Sequence, residues 1–372
     1  MGTQKVYINA RFLTQSVTGV QRYAIELVKS IDCLIDRGEL GTGELTFILL
    51  TPPSQIQQIN LKHIQIRKVG FLEGHLWEQF ELPFYARNGL LINLCNTAPI
   101  LKINQIITIH DVSVYAVPQT YSLAFRAWYK LLFRIAGTTS KRIITDSQFS
   151  KQEIVRYCKI KPSKIQSIYL GKEHIHDQDL DLNYIAKIKG QKSFILAVSS
   201  MSPNKNFRSI IRAIELMDEP DFDIVIAGGT NPKVFGSSDP LDLSDYRYLG
   251  YVNDSELRAL YESADCFIYP SYYEGFGLPP LEAMASGCPV IVSDAASLPE
   301  VCGDAALYCD PHSPKNIAEK IRQLMNDPDL RDKLRTKGLK RAKQFTWEKC
   351  ASETMTVIRE VLKCELPSST TG

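Results

Sequence analysis

The segment Ser271–Ile291, "SYYEGFGLPPLEAMASGCPVI", predicts a turn, a helix and a strand, and it follows the apolar strand Cys266–Tyr269. Two consecutive prolines mark the first turn of the helix, where proline is tolerated. Strand, helix and strand in this order form the repeating unit of a parallel sheet. The segment also contains two carboxylates, Glu274 and Glu282, that neither the strands nor the helix requires.

The same alternation of short apolar runs and amphipathic stretches extends along most of the chain, which predicts parallel sheets covered by helices. In the first half we predict a helix at Gln21–Ile35 and strands at Val6–Asn9, Thr46–Leu50, Ile64–Val69, Leu90–Leu94, Ile106–Ile109 and Arg142–Thr145. In the second half we predict a helix at Asn206–Met217 and strands at Phe194–Ser199, Ile224–Ala227, Cys266–Tyr269, Val290–Val292 and Ala306–Cys309.

The chain has 372 residues, which is more than one hydrophobic core usually supports. The stretch 172–192 is acidic, then basic, and poor in periodic apolar positions, so we expect the domain boundary there. We predict two doubly wound, Rossmann-like α/β domains, residues 1–178, completed by a C-terminal helix 347–364, and residues 179–346. A deep cleft at the carboxyl ends of their strands is the expected ligand site.

Composition places the chain among ordinary globular proteins, with 44% hydrophobic and 23% charged residues. The net charge of +2 gives no general attraction to nucleic acid. No apolar run is long enough to span a membrane, and no signal peptide precedes the first strand. The nine cysteines form no Cys-x-x-Cys pair, which indicates reduced thiols. A cytoplasmic protein is the expectation.

The stretch "AVSSMSPNKNF" predicts an anion site, because it follows a buried strand and opens a helix near Lys205. Backbone N–H groups and an ammonium group would converge there on a phosphate. A solvated lysine in a first helical turn is the alternative, although a cation is unfavourable at that end of the helix dipole. We interpret Asn206 and Arg208 as helix-surface residues.

The loop Ser271–Leu278 complements this site. Its glycines let backbone amides approach a ligand closely, whereas Glu274 and Glu282 can accept hydrogen bonds from hydroxyl groups. Acids on both sides of an amide-lined loop indicate a ligand with phosphates in its middle and hydroxyls at its ends, as in a nucleotide sugar. A solvated turn acid and a charge at a helix N-terminus are the simpler alternatives.

These motifs resemble those of the family-4 retaining glycosyltransferases, which have the GT-B fold. The resemblance rests on the E-x7-E pair Glu274/Glu282 in "YEGFGLPPLEAMASGCPVI", on "ESADCFIYPS", "PNKN" and "IAGG", and on "TGVQRY" and "IHD" in the first half. It covers nearly the whole chain. The similarity implies transfer of a hexose from a nucleotide diphosphate sugar, without a cofactor or a metal ion.

The resemblance also implies roles for individual residues. Lys205 would neutralise the donor diphosphate, Glu282 would bind the ribose hydroxyls, and Glu274 would contact the hexose. Four neighbours would present backbone groups to the sugar and phosphate: Gly275, Phe276, Gly277 and Leu278. From the first half, Gly19 would approach the diphosphate and His110 would touch the donor sugar.

The donor base would be recognised by backbone groups near Gly228–Gly229 and Gly250–Val252. Because main-chain contacts leave little trace in the sequence, GDP-mannose and a UDP-hexose both stay open as donors. Many family members carry an arginine before the lysine loop, where this chain has Ser200 or Met201. The diphosphate site would then depend on Lys205, amides and the hydroxyls of this stretch.

Two further patterns have competing interpretations. His110–Asp111 follows a strand, and without the family such a pair is more often a capped turn. The acidic run Asp177–Asp181 resembles a metal-binding Asp-x-Asp motif, but it lies in the expected linker, so we interpret it as solvated.

The helix 124–136 places Arg126, Lys130 and Arg134 on one stripe opposite an apolar face. Such a helix could rest on the inner face of the plasma membrane and meet a lipid-linked acceptor. It could equally be an ordinary helix packed on the first sheet.

The sequence therefore predicts a retaining, metal-independent hexosyltransferase with a glycan or lipid-linked glycan acceptor, in polysaccharide or lipopolysaccharide assembly. The resemblance implies a front-face route, in which the leaving diphosphate accepts the acceptor's proton. A sugar-nucleotide hydrolase or epimerase, and a nucleotide-sugar-binding protein with weak or no transferase activity, are the alternatives.

Overall fold

The computed structural model describes residues 4–39, 45–177, 179–181, 184–186, 193–200, 202–217, 220–228 and 246–363. The chain forms two compact units. The first comprises the chain up to Val112, Ala127–Gly171 and the segment from Trp347 onward, and the second comprises Ser113–Arg126 and Lys172–Thr346. After Gly171 the chain continues in the second unit until Thr346. The domain limits that we place at 178 and 179 stay a prediction.

The first unit contains a seven-stranded sheet with the order β3-β2-β1-β4-β5-β6-β7, in which all neighbours pair in parallel. Its strands are β1 (Gln4–Asn9), β2 (Leu45–Thr51), β3 (Gln65–Lys68), β4 (Leu90–Asn93), β5 (Gln105–Thr108), β6 (Arg142–Thr145) and β7 (Ile165–Ser167). The central strands are continuous apolar runs because helices cover both faces of the sheet.

The helices in the first half of the chain are α1 (Gly19–Asp36), α2 (Gly74–Leu76), α3 (Leu82–Tyr85), α4 (Ser113–Ala116), α5 (Leu123–Thr139) and α6 (Gln148–Cys158). A π-helical turn, Trp77–Glu81, joins α2 to α3 without a break. Thr18 and Gln21 form a capping box at the start of α1, which explains why this helix begins before the predicted Gln21.

The second unit contains a six-stranded parallel sheet with the order β10-β9-β8-β11-β12-β13. Its strands are β8 (Ser193–Val198), β9 (Phe222–Ala227), β10 (Arg247–Gly250), β11 (Cys266–Tyr269), β12 (Val290–Ser293) and β13 (Ala306–Cys309). The central pair is β8 and β11, so the loops that follow these two strands leave the sheet at the same edge.

The second half of the chain contains the helices α7 (Phe207–Glu215), α8 (Asp254–Ser263), α9 (Leu278–Ala285), α10 (Leu298–Cys302), α11 (Pro314–Asn326), α12 (Pro328–Ala342) and α13 (Trp347–Lys363). Helix α13 lies in the first unit, where it packs on α1. One face of α7 and one of α11 enter the core of the second unit through Ile210 and Ile317.

The predicted fold class of two doubly wound parallel sheets is confirmed. Sequence analysis missed two strands, β7 and β10, each at one side of its sheet. The segment Ile165–Ser167 is only three residues long, and Arg247–Gly250 begins with a cation and ends with glycine, so neither shows a buried-strand pattern.

Candidate functional site

Lys205 lies in the loop after β8, on a short 3-10 turn, Pro203–Lys205, and its ammonium group is fully engaged. Its Nζ donates to both carboxylate oxygens of Glu274, at 2.7 and 2.9 Å, and to the hydroxyl of Tyr269 at 3.0 Å. Burial alone would lower the pKa of Lys205, but the Glu274 carboxylate outweighs it and the pKa is raised. The ammonium group therefore stays charged at any physiological pH.

Tyr269, the last residue of β11, links this ion pair to the sheet through its hydroxyl. Burial, and then the neighbouring Glu274 carboxylate, raise the pKa of Tyr269 to about 12. The phenol is therefore neutral. Sequence analysis assigned Lys205 and Glu274 to different parts of a ligand, whereas the structure pairs them with each other.

The lysine loop and the glycine loop are joined by hydrogen bonds. Asn206 takes a left-handed conformation with φ 62° and donates through Nδ2 to the carbonyls of Pro270 (2.9 Å) and Pro311 (2.8 Å). The Tyr272 amide donates to the carbonyl of Asn204 at 2.9 Å. The interpretation of Asn206 as a surface residue is wrong, because it is buried and bridges two loops, while Arg208 is exposed as predicted.

Ser297, just before α10, fixes the glycine loop from the opposite side. Its hydroxyl is buried and lies 3.0 Å from the carbonyl of Glu274 and 2.9 Å from that of Phe276, so its one proton is shared between them. Phe276 is itself buried and meets the ring of Phe345 edge-on. Sequence analysis missed Ser297, because a single serine between a strand and a helix has no distinguishing pattern.

Gly277 precedes α9 with φ 101°, a conformation that favours glycine, and a Cβ atom there would lie 2.6 Å from the Leu298 side chain. Leu278 begins the helix, and Pro279 and Pro280 follow it. Since proline has no N–H group, the amides of Gly277 and Leu278 are the remaining donors at this helix end. Like Gly275, both residues are buried, and they belong to the loop Ser271–Leu278 that we predict to be lined with amides.

Glu282 lies one turn into α9 and is buried. Its Oε1 is 2.8 Å from Nε2 of His174, and its Oε2 accepts from the hydroxyl of Tyr261 at 3.2 Å. Each carboxylate oxygen has a second lone pair, so Glu282 can still accept a hydroxyl from a ligand. His174 belongs to the stretch we interpreted as the domain boundary, so sequence analysis missed its role.

The other predicted donor contacts surround the same sheet edge. Gly228 follows β9 with φ 143°, and a Cβ atom there would lie 1.7 Å from the carbonyl oxygen of Ser199. Its amide donates to Gly250 at 2.7 Å. Ser200 and Val252 are half-buried near the ends of β8 and β10. Met201 and Gly229 lie outside the described residues.

The first unit holds His110 at the end of β5. Its Nδ1 is 2.7 Å from Asp146 and its Nε2 is 2.9 Å from the carbonyl of Leu94. Burial alone would lower the pKa of His110, but the Asp146 carboxylate raises it overall. An imidazolium ring that donates from both nitrogens satisfies both contacts. The ring is thus held inside the unit, and its predicted contact with a donor sugar stays a prediction.

Gly19 is exposed as the first residue of α1. A Cβ atom would find nothing within 4 Å there, so the space beside this backbone is open. Its role toward a diphosphate stays a prediction.

Helix α5 contains the predicted basic stripe and apolar face. Leu132 and Ala136 on that face are buried, and Trp128 meets the ring of His75 edge-on. These contacts favour the interpretation of an ordinary packed helix over a membrane-binding one. Among the described helices, none is long and apolar enough to cross a membrane.

Comparison with known proteins identifies the family. A family model described as "Glycosyl transferases group 1" matches residues 183–341. The O-antigen chain mannosyltransferase B of Escherichia coli is 32% identical over 91% of this chain and 95% of its own length. The chain belongs to the group 1 glycosyltransferases.

Two other proteins are similar to this glycosyltransferase over most of its length. The O-antigen chain mannosyltransferase RfbU of Salmonella typhimurium is 27% identical, over 87% of this chain and 91% of its own length. A structure of Anabaena Alr3699/HepE in complex with UDP and glucose has a TM-score of 0.71 at 14% identity, over 96% of this chain and 100% of that one. The predicted GT-B fold is confirmed.

The geometry of the glycosyltransferase's second unit suits a charged, hydroxyl-rich ligand. Lys205 and Glu274 place opposite charges side by side at the sheet edge, next to a helix end with two remaining amide donors. Glu282 adds an acceptor further along α9. Such an arrangement can stabilise a phosphate and orient hydroxyl groups at the same time.

Proposed function

We propose that this glycosyltransferase moves mannose from a nucleoside diphosphate donor to a hydroxyl of a glycan or lipid-linked glycan, with retention at the anomeric carbon, in assembly of an O-antigen-type polysaccharide. Two relatives that match most of the chain are named O-antigen chain mannosyltransferases, which supports mannose and this setting. GDP-mannose is the proposed donor and a UDP-hexose is the alternative.

The ion pair between Lys205 and Glu274 carries the proposal. A partly buried lysine–carboxylate pair contributes little net stability, because desolvation offsets the attraction, so the pair suits a site where another anion can replace the carboxylate. We propose that the donor diphosphate takes over the ammonium group, which frees Glu274 to accept hydrogen bonds from the hexose. The amides of Gly277 and Leu278 would share the phosphate charge.

The reaction we propose exchanges one carbon–oxygen bond for another on the same face of the sugar. The bond from the anomeric carbon to the diphosphate breaks, and the acceptor oxygen forms the new bond. The acceptor's proton passes to the departing diphosphate. Lys205 would stabilise the charge that develops on that diphosphate, so the protein would need no metal ion there.

Two further roles belong to the proposal. Glu282, already bonded to His174 and Tyr261, would accept the ribose hydroxyls, so Glu282→Ala should weaken nucleotide binding. The backbone near Gly228 and Val252 would meet the base. The cytoplasmic location stays a prediction.

A transfer assay tests the proposal. The full chain is incubated with GDP-mannose or UDP-glucose, with and without lipid-linked and free mannosyl glycans. Mass spectrometry identifies the products, and NMR gives the anomeric configuration of any new linkage. A mannosylated acceptor whose linkage retains the donor's anomeric configuration is expected, with EDTA having no effect. Free mannose or a rearranged donor in the absence of acceptor would favour a hydrolase or epimerase. Binding without any product would favour a binding protein.

A further inference from the structure

The helical segment Gly74–Tyr85 of the first unit is apolar on two opposite sides. Its inner side packs into a core cluster through Trp77 and Leu82. Its outer side exposes Leu76 (59%), Phe80 (70%) and Phe84 (58%). A helix in contact with water normally carries an apolar stripe on one side only, so the outer side calls for an apolar partner.

A loop before the helix adds to this outer side and is fixed to it. The carboxylate of Glu81 accepts hydrogen bonds from the amides of Phe71 and Leu72, at 2.9 to 3.2 Å. The Phe71 side chain is nevertheless 82% exposed. The backbone is therefore held in place while the ring projects into solvent.

A second loop is fixed in the same way. Gln79 accepts from the amide of Ile100 at 3.0 Å, and Lys102 donates to the carbonyl of Ala86 at 2.9 Å. On either side of Lys102, Leu101 and Ile103 are 86% and 63% exposed. We call the six projecting apolar side chains the outer patch: Phe71, Leu76, Phe80, Phe84, Leu101 and Ile103.

The charges around the outer patch are mostly positive. Residues 65–104 are all described, and their exposed cations are Arg67, Lys68 and Arg87, against one exposed acid, Glu73. The guanidinium group of Arg87 lies 4.7 Å from the ring centre of Phe84, so a cation stands directly beside the projecting apolar groups.

We propose that the outer patch docks this protein on an anionic phospholipid bilayer. Projecting aromatic and aliphatic side chains can enter the boundary between headgroups and acyl chains, while neighbouring arginine and lysine side chains meet the headgroup phosphates. The patch consists of separate protrusions from three segments, which suits a soft bilayer better than a preformed protein surface. This inference goes beyond the transfer reaction and does not depend on it.

The outer patch replaces helix α5 as the membrane-facing element. The apolar face of α5 is packed inside the protein at Leu132 and Ala136, and the exposed large apolar side chains of this helix are Leu123 and Leu131, outside that packed contact. These two residues provide a matched control, because they are exposed apolar groups of similar size outside the patch.

Flotation with vesicles tests the proposal. The full chain, the double variant Phe80→Ser/Phe84→Ser and the control Leu123→Ser/Leu131→Ser are mixed with vesicles of phosphatidylglycerol and phosphatidylethanolamine, or of phosphatidylcholine alone. We expect the wild type and the control to float with the anionic vesicles, and the patch variant to lose at least about tenfold in partitioning. Added salt, or Arg87→Gln, should reduce the preference for anionic vesicles.

Three results would overturn the proposal. The wild type could fail to float with any vesicle, or the α5 control could lose binding while the patch variant retains it. The patch variant could also dissociate a dimer, seen by light scattering, with vesicle binding unchanged, which would make the patch a contact between copies of the chain. Thermal melting verifies that the variants fold. Titration with nucleoside diphosphate, which the patch variant should not alter, reports on the proposed function separately.

Discussion

Among the buried and half-buried ion pairs of the described residues, one in each unit lies just beyond neighbouring strands of the sheet, and these two pairs differ in their surroundings. In the first unit, His110 follows β5 and Asp146 follows β6, with side-chain exposures of 6% and 5%. In the second, Lys205 follows β8 and Glu274 follows β11, with exposures of 19% and 10%. All four residues lie just beyond strand ends, and the pair of the second unit is the more exposed.

The difference indicates separate tasks. Both nitrogens of His110 bond inside the protein, and its backbone is held as well, because its carbonyl accepts from Ser150 at 2.9 Å. That pair joins the two segments that follow β5 and β6. Lys205 and Glu274 lie in loops as well, and the loop of Glu274 leads through Gly277 into the N-terminal end of α9. We therefore expect the first pair to stabilise the fold and, under the proposed function, the second pair to exchange partners with a ligand.

The largest effect is expected from Lys205→Met. Loss of one oriented cationic group in a preorganised site should lower transfer by about 10²- to 10³-fold. Steady-state kinetics measures this, with Lys333→Met, which removes an exposed lysine of the same unit, as the control. Wild-type activity in Lys205→Met would show that the pair has no catalytic task.

Folding must be separated from catalysis in that variant. Removing one partner of a buried ion pair typically costs about 3–5 kcal/mol, because the other charge stays buried. The double variant Lys205→Met/Glu274→Gln removes that charge too, so its unfolding free energy should recover while its activity does not. Recovery of both together would mean that Lys205 only stabilises the loop.

Glu274→Gln should have the next largest effect. A hydrogen bond to a charged group contributes about 1.5–3 kcal/mol, so turnover should fall by about 10- to 100-fold. Affinity for the nucleoside diphosphate alone should change little, because that ligand lacks the hexose. Glu319→Gln, an exposed acid of the same unit, is the control. An equal loss in affinity and in turnover would limit Glu274 to holding Lys205.

These predictions use residues that the sequence identified only in part. The positions of Lys205, Glu274 and Glu282 near helix starts could be predicted, because a turn, two glycines and two prolines mark those starts in the sequence. The pairing of Lys205 with Glu274 could not, since the two residues are far apart in sequence and meet only because β8 and β11 are neighbours.

Residues that act through long-range contacts were missed for the same reason. His174 reaches Glu282 from the expected linker, and Ser297 reaches the glycine loop from the start of α10. The central strands could be predicted from their apolar runs, because burial on both faces leaves a continuous pattern. The outer patch could not, since an exposed Phe80 and a buried Trp77 look alike in sequence.

His110→Gln should reveal the structural task of the first pair through pH. The pKa of His110 is raised by Asp146, so its stabilisation is complete below the ordinary histidine pKa of about 6.5 and is lost as pH rises through the raised value. The difference in unfolding free energy between wild type and variant should be about 1–3 kcal/mol in mild acid and smaller in alkali. Denaturation at several pH values measures it, and a pH-independent difference would contradict this account.

The smallest effect is expected from Ser297→Ala. Its hydroxyl holds the carbonyls of Glu274 and Phe276, so its loss should cost about 1–2 kcal/mol of stability and lower kcat/KM by about three- to tenfold. Ser352→Ala, on α13 of the first unit, is the control. An unchanged kcat/KM would show that the glycine loop keeps its position without Ser297.

Calorimetric titration of GDP and of guanosine into the wild type, Lys205→Met and Lys333→Met tests the central claim most directly. If Lys205 receives the donor diphosphate, Lys205→Met should lose at least about tenfold in affinity for GDP and little for guanosine, and Lys333→Met should match the wild type. The same experiment with UDP covers the alternative donor. Unchanged affinity for both diphosphates in Lys205→Met would contradict the account.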